Sequence, residues 1–204
     1  MPKKRKPYRR GKRTRTPFRF WIPVYILAGA FVLAAAGFIT VGQMENHDSF
    51  CASCHTQPES TYFARSTAAS STDLASDHEI KKAGHCIDCH SGSGTGGRIA
   101  AETEGAMNAL KFVTHTMVQP ATLNNPISDD NCLKCHAEVP LETDFNTHFH
   151  IYLAQWQATS ATAGTCVSCH TAHTTDGDAQ IGFVSQTRAE QVCQDCHAVL
   201  HPGG

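Results

Sequence analysis

The sequence predicts a mainly α-helical protein with long loops, in which an exported body follows a single N-terminal transmembrane helix. Residues 20–41 carry no charge, and as a helix they would span about 33 Å, enough for the hydrocarbon core of a bilayer. The rest of the chain carries five irregularly spaced copies of Cys-x-x-Cys-His, separated by turn-forming segments. We therefore expect short helices at and after these motifs, long loops and almost no strand.

The five motifs, numbered 1 to 5 in chain order, contain every cysteine of the chain. In such a motif the two thiols bond the vinyl groups of haem c, and the adjacent histidine ligates the iron. Disulfides or zinc sites could also use ten cysteines, but neither needs a histidine after every second cysteine. The sequence thus predicts five covalently attached haem c groups. The attachment residues are Cys51, Cys54, Cys86, Cys89, Cys132, Cys135, Cys166, Cys169, Cys193 and Cys196, and the proximal iron ligands are His55, His90, His136, His170 and His197.

Charge divides the chain into three segments. Residues 1–19 carry ten Lys or Arg and no acid, whereas residues 43–204 carry seven basic and eighteen acidic side chains, a formal difference of −11. Because basic flanks stay in the cytoplasm, we expect a cytoplasmic tail (1–19), an anchor (20–42) in the bacterial inner membrane and an exported pentahaem domain (43–204). A cleaved signal peptide would normally have a shorter apolar region, and a nucleic-acid role fits poorly beside a transmembrane helix.

The fold class is therefore a mainly α multihaem cytochrome c body on one N-terminal transmembrane helix. With about 32 residues per haem, the body is too small for an ordinary core, so the haems must supply much of it. Residues 98–118 and 144–159 predict longer helices, and the glycine-rich stretch 91–97 predicts a flexible loop before the first of them. Pro120 and the following turn residues suggest looser halves, 43–119 and 120–204.

Each iron needs a second axial ligand or keeps an open position for small molecules. Eight histidines lie outside the motifs, which suffices for five irons. The distal candidates are His78, His115, His148, His173 and His201, with His47 or Met44 as a further possibility for haem 1. His85 is the weakest candidate, and we expect only one of His148 and His150 to serve as a ligand.

The layout of basic tail, anchor and motif 1 about ten residues later resembles the NapC/NirT family of membrane-anchored multihaem cytochromes. The segment Ser76-Asp77-His78, followed by motif 2, strengthens the resemblance, which covers roughly residues 15–118. It implies that His78 is a distal ligand and that quinol oxidation feeds periplasmic reductases. The sequence departs from that family in having five motifs and no methionine shortly after motif 1.

The whole layout is also similar to the pentahaem subunits of alternative complex III. This similarity implies an electron relay beside iron–sulfur and other membrane subunits, toward a cytochrome c, a copper protein or an oxidase. The small anchor face at Ala30, Ala34 and Gly37 would suit packing against another membrane subunit, although it is equally typical of a generic Ala-rich span.

Two other functions compete with the relay. A self-sufficient quinol dehydrogenase could use Glu102, Glu104 or Lys111 in a quinol pocket, although a solvated helix face explains these residues better. A multihaem reductase needs an open iron, often marked by a motif ending in lysine, and all five motifs here end in histidine. We therefore expect no independent catalytic site.

Overall fold

The structure is a computed structural model that describes residues 21–54, 57–123, 125–141 and 143–200. Its described residues form helices and loops without a named strand, which confirms the mainly α prediction. Within these residues, Val184 forms isolated β-bridges to His170 and Asp178. The chain divides into two compact units, with the boundary between Val41 and Gly42. The helices are α1 (Ile22–Met44), α2 (Asp48–Cys54), α3 (Glu59–Ser66), α4 (Leu74–Ile80), α5 (Cys86–His90), α6 (Gly94–Val113), α7 (Asp129–Leu133), α8 (His148–Thr159), α9 (Cys166–Cys169) and α10 (Gln186–Leu200).

Helix α1 is long and apolar enough to cross a membrane, and none of its residues is buried. Pro23 lies in its first turn, where the missing N–H removes no intrahelical hydrogen bond. Length and composition fit a membrane anchor, and a signal sequence passes the same test. The basic tail lies outside the described residues.

The longer helices differ from their predicted bounds. Helix α6 begins at Gly94, inside the stretch predicted to be a flexible loop, and ends at Val113 instead of residue 118. The backbone of Gly92 turns at φ +70° and passes so close to Gly97 that a Cβ on Gly97 would lie 2.9 Å from it. These glycines therefore allow a tight turn into the helix. The second prediction was closer, since α8 follows a short 3-10 turn, Phe145–Thr147.

Few large apolar side chains are buried in the described part of the chain. Trp156 and Phe183, each 3% exposed, are the only buried hydrophobic residues there, whereas five polar or charged residues are buried. Apolar burial of this extent cannot stabilise a domain of this size by itself. The finding fits the expectation that haem macrocycles supply much of the packing surface.

A buried polar cluster joins α3, α4 and the segment after motif 4. Asp73 accepts hydrogen bonds from Ser76 N and from Arg65 Nη1 at 2.8 and 3.0 Å, and the Ser76 hydroxyl accepts from the Asp73 N–H in return. Arg65 also donates to the carbonyl of His173 at 2.8 Å. The cluster thus caps α4, which carries His78, and fixes the backbone at His173.

Replacing Asp73 with alanine is expected to lower the free energy of unfolding by about 2–4 kcal/mol, since it removes a helix cap and leaves Arg65 without its buried partner. Denaturant unfolding of the haem-loaded chain, followed by circular dichroism, measures the change. Asp77→Ala on the same helix is the control. It removes an ion pair to exposed Lys81 and should cost less than about 1 kcal/mol. Equal losses in the two variants would contradict the role given to the cluster.

Candidate haem sites

The structure pairs four motif histidines with four histidines from outside the motifs. Each pair has its ring centroids just over 6 Å apart. The pairs are His90 with His173 at 6.2 Å, His136 with His78 at 6.1 Å, His170 with His150 at 6.2 Å and His197 with His148 at 6.3 Å.

This separation fits two imidazoles that share one iron. With a metal–nitrogen bond of about 2 Å and a ring centre about 1 Å beyond the nitrogen, the two centres lie about 6 Å apart. Directly stacked rings are closer, as Tyr62 and His173 show with centroids 3.9 Å apart. The residues present therefore fit bis-histidine haem at motifs 2, 3, 4 and 5, and bound haem c would supply reversible one-electron chemistry there.

Backbone carbonyls orient several of these rings. Nδ1 of His78 lies 2.9 Å from the Leu74 carbonyl, and Nδ1 of His170 lies 2.7 Å from the Gly182 carbonyl. Nδ1 of His148 lies 3.1 Å from the carbonyl of Phe145. A carbonyl at Nδ1 favours the tautomer that leaves Nε2 free for a metal, as in other metal sites.

Burial favours the neutral form of the histidine pair at motif 2. Burial lowers the pKa of His173 to about 4, and burial also lowers the pKa of His90. Tyr62 stacks flat on His173 with an angle of 6° between the rings, and Nδ1 of His173 is buried without a hydrogen-bond partner. A neutral imidazole keeps the lone pair that an iron ligand needs.

His148 and His150 both face motif histidines, whereas we expected only one of them to serve. Two residues on a helix point about 200° apart, so the two side chains leave opposite sides of α8. His148 meets motif 5 and His150 meets motif 4. A single helix therefore lies between two candidate haem sites, which helical spacing alone does not reveal.

The remaining candidates are less well placed, or lie outside the described residues. His55, His201 and the side chain of Cys54 lie outside them. His47, Met44 and His115 are exposed and, within the described ranges, none of them faces a motif histidine. His115 lies beyond the end of α6, with φ +55°, although we predicted it on that helix.

The chain after α6 nevertheless returns to motif 1. Ala121 N donates to the carbonyl of Gln57 at 2.8 Å, two residues after His55. His115 and half-buried Met117 lie on this returning segment. His85 is engaged elsewhere, since its Nδ1 lies 3.2 Å from Asp48 and 3.1 Å from Glu79. The hydrogen bond with Asp48 raises the pKa of His85.

Consecutive motifs touch one another. The sulfur atoms of Cys51 and Cys86 are in hydrogen-bond contact, which lowers the pKa of the Cys51 thiol and raises that of Cys86. Cys132 and Cys166 make the same contact, which lowers the pKa of Cys132 to about 7. In the haem-loaded protein these thiols would be thioethers. The contacts therefore show which motifs are neighbours: motif 1 meets motif 2, and motif 3 meets motif 4.

The contacts between motifs 2 and 3 and between motifs 4 and 5 complete the spatial order of the motifs. Motif 2 meets motif 3 where Lys134 Nζ donates to the Asp88 carbonyl at 3.0 Å, with Cys89 and Cys132 close enough to interact electrostatically. Motif 4 meets motif 5 through Cys169 and Cys193 and through packing of α9 on α10. The five attachment helices therefore follow one another in space as they do in the sequence.

The ring planes predict two spectroscopic classes. The planes are 19° and 14° apart at motifs 2 and 4 but 82° and 76° apart at motifs 3 and 5. Parallel imidazoles separate the two iron orbitals that accept π density, whereas perpendicular imidazoles leave them nearly equal in energy. Low-temperature EPR of the oxidised protein should therefore show rhombic low-spin signals from two haems and strongly anisotropic low-spin signals from two others. A spectrum with rhombic signals alone would contradict these ring angles.

The fold and these sites together define a mainly helical protein whose Cys-x-x-Cys-His helices gather histidines in pairs. Residues 159–201, which contain motifs 4 and 5, match a family model described as a doubled CXXCH motif. The comparison with curated proteins found no match, and neither did the comparison with solved structures. The doubled motif indicates covalently bound haem c and suggests a multihaem c-type cytochrome that transfers electrons.

Proposed function

We propose that the chain is a membrane-anchored pentahaem cytochrome c that relays electrons from quinol oxidation to a periplasmic or membrane acceptor. In this proposal it is a subunit of an alternative complex III-like quinol:acceptor oxidoreductase. The observation that carries the proposal is the unbroken order of contacts from motif 1 to motif 5. Neighbouring haems on such a line can exchange electrons over the length of the body.

The axial pairs support transfer over catalysis. We assign His173, His78, His150 and His148 as the distal ligands at motifs 2, 3, 4 and 5, in that order. An iron with two histidine ligands has no position for a substrate, so its chemistry is restricted to electron transfer. These pairs also favour comparatively low potentials, because methionine ligation would raise them.

The sequence around the haem body supports a place in an assembly. Helix α1 would anchor the chain in the inner membrane with residues 1–19 in the cytoplasm. Its small residues would suit packing against another membrane subunit, and iron–sulfur subunits would supply electrons. The acidic body would suit a basic acceptor such as a cytochrome c, with a copper protein or an oxidase as the other candidates.

A NapC/NirT-type quinol dehydrogenase is the second candidate. In its favour, Arg98 Nη2 near the start of α6 bonds Glu45 at 2.7 Å, and Glu45 directly follows α1 in the sequence. The polar residues of α6 are engaged within the chain, however. Glu102 bonds Arg98 at 2.7 Å, Asn125 donates to Glu104 at 2.7 Å, and Lys111 donates to Asn108 at 3.4 Å. These contacts support a structural role for the residues over a quinol pocket.

Purification in mild detergent separates the two candidates. The relay predicts a stable assembly with iron–sulfur and polytopic membrane subunits, and an isolated chain that does not oxidise menaquinol. An isolated chain that oxidises menaquinol at the rate of the assembly would overturn the relay in favour of the dehydrogenase. Carbon monoxide binding by the ferrous wild-type chain at motifs 2 to 5 would overturn the axial assignments.

A further inference from the structure

His173, the distal ligand assigned to motif 2, is held differently from three other ligand rings. Nδ1 of His78, His148 and His170 lies 2.9, 3.1 and 2.7 Å from a backbone carbonyl. Nδ1 of His173 is buried and, among the described residues, meets no hydrogen-bond partner. Because such a partner fixes the rotation of an imidazole about its metal–nitrogen bond, the plane of the His173 ring must be set by other contacts.

The ring of Tyr62 lies flat against the ring of His173. The two centroids are 3.9 Å apart, and the planes differ by 6°. This contact is closer and flatter than that of Phe145 on His148, where the centroids are 5.1 Å apart and the planes differ by 21°. At 3.9 Å the two faces are in van der Waals contact, so the His173 ring cannot turn without losing the stack. Such a stack favours one ring orientation by up to about tenfold.

Arg65 holds the two stacked residues in one frame. It follows Tyr62 by three residues on α3, so both side chains lie on the same face of that helix, and its Cζ lies 5.8 Å from the Tyr62 centroid. Its Nη1 donates to the carbonyl of His173 at 2.8 Å and to buried Asp73 at 3.0 Å. One guanidinium therefore contacts the ring of Tyr62 and the backbone of His173, which fixes their relative position.

The stack determines the angle between the two ligand planes at motif 2. The planes of His173 and His90 differ by 19°, whereas at motif 3 the plane of His78 stands at 82° to that of His136. This angle decides how far apart the iron orbitals that accept π density lie in energy. Tyr62 therefore acts on the iron at motif 2 through His173, without being a ligand itself.

We propose that Tyr62 is a positioning residue for electron transfer at motif 2, where its ring face keeps the plane of His173 nearly parallel to that of His90. The proposal rests on the axial ligands of the proposed relay. A ligand ring that keeps one orientation in both oxidation states leaves little to reorganise when an electron arrives or leaves, which favours fast transfer. The tyrosine acts through its ring face, and its hydroxyl group is not required.

The test compares low-temperature EPR spectra of the oxidised, haem-loaded full chain in detergent. Tyr62→Ala should lose rhombic intensity equivalent to one haem per chain, because the His173 ring is then free to turn. That haem should stay low-spin and bind no carbon monoxide, since the bonds from Arg65 to the His173 carbonyl and from Ala75 N to the Ala172 carbonyl still hold the backbone. Tyr62→Phe keeps the ring face and should keep the full rhombic intensity.

Phe145→Ala is the matched control. Phe145 also lies against a ligand ring, that of His148, but its backbone carbonyl lies 3.1 Å from Nδ1 of the same ring. Alanine keeps this carbonyl, so the orientation of His148 should not change. The rhombic and the strongly anisotropic signals should therefore both keep their wild-type intensities in Phe145→Ala.

Wild-type rhombic intensity in Tyr62→Ala, an equal loss in Tyr62→Phe, carbon monoxide binding by Tyr62→Ala, or an equal change in Phe145→Ala would each overturn the role of Tyr62. His173→Ala separates this failure from that of the ligand assignment. It should open the iron at motif 2 to carbon monoxide, and if it does not, the assignment fails and the role of Tyr62 with it. These spectra use neither quinol nor membrane subunits, so a failure of the relay would appear only in the purification and quinol assays.

Discussion

Replacing His78 with alanine should convert one haem from a low-spin, six-coordinate state to a high-spin state that binds carbon monoxide. His78 lies on α4 with its ring centroid 6.1 Å from that of His136, so its loss opens the iron at motif 3. Alanine is a good helix former, and the buried cluster at Asp73 and Ser76 still caps the helix. The carbon monoxide difference spectrum of the reduced protein, quantified per chain, measures the effect.

His85→Ala is the control for this experiment. His85 lies next to motif 2 but bonds Asp48 and Glu79, so its loss should leave the haems low-spin. The assignment at motif 3 is wrong if the His78→Ala variant does not bind carbon monoxide, or if the His85→Ala variant shows the same carbon monoxide difference spectrum.

Removing motif 3 with Cys132→Ala and Cys135→Ala together should cut the relay in its middle. The chain would keep four of its five motifs, but motif 2 would lose its neighbour toward motif 4. In the proposed assembly, quinol should then reduce only the two haems on its own side of the gap. Haem content by pyridine haemochromogen and the extent of reduction by absorbance measure the two effects.

The double substitution Cys193→Ala and Cys196→Ala provides the comparison. It also leaves four motifs, but these remain contiguous, so quinol should reduce all four haems. Full reduction of the motif 3 variant at the wild-type rate would mean that electrons bypass motif 3, and the linear order would be wrong.

The sequence predicts those parts of the site that depend on local chemistry. A thiol pair followed by histidine needs only five adjacent residues, and an uncharged helix long enough for a bilayer shows in composition alone. His78 and His173 were also proposed from their positions, and both face motif histidines of other segments. The predicted bounds of α8 were close because its aromatic residues repeat at helical spacing.

The remaining features depend on tertiary contacts that periodicity does not encode. The distal ligands predicted from the sequence do not include His150, because its value as a ligand depends on motif 4 lying behind α8. Asp48 and Asp129 accept the backbone N–H groups of Cys86 and Cys166, the first cysteines of motifs 2 and 4. Predicting these bonds requires knowing which motif packs against which. Motifs 1 and 3 have an aspartate three residues before their first cysteine, whereas motifs 2 and 4 have Ala-Gly at positions three and two before theirs. This alternation was the signal that could have revealed the pairing of the motifs. The early start of α6 reflects a close backbone approach at Gly92 and Gly97 that loop composition alone does not predict.

An experimental structure of the haem-loaded full chain in a lipid nanodisc tests the central claim most directly. The account predicts haems in the order of motifs 1 to 5, with irons between His90 and His173, His136 and His78, His170 and His150, and His197 and His148. A haem at motifs 2 to 5 with an open iron, or a haem order that breaks the line between consecutive motifs, would contradict a continuous bis-histidine relay.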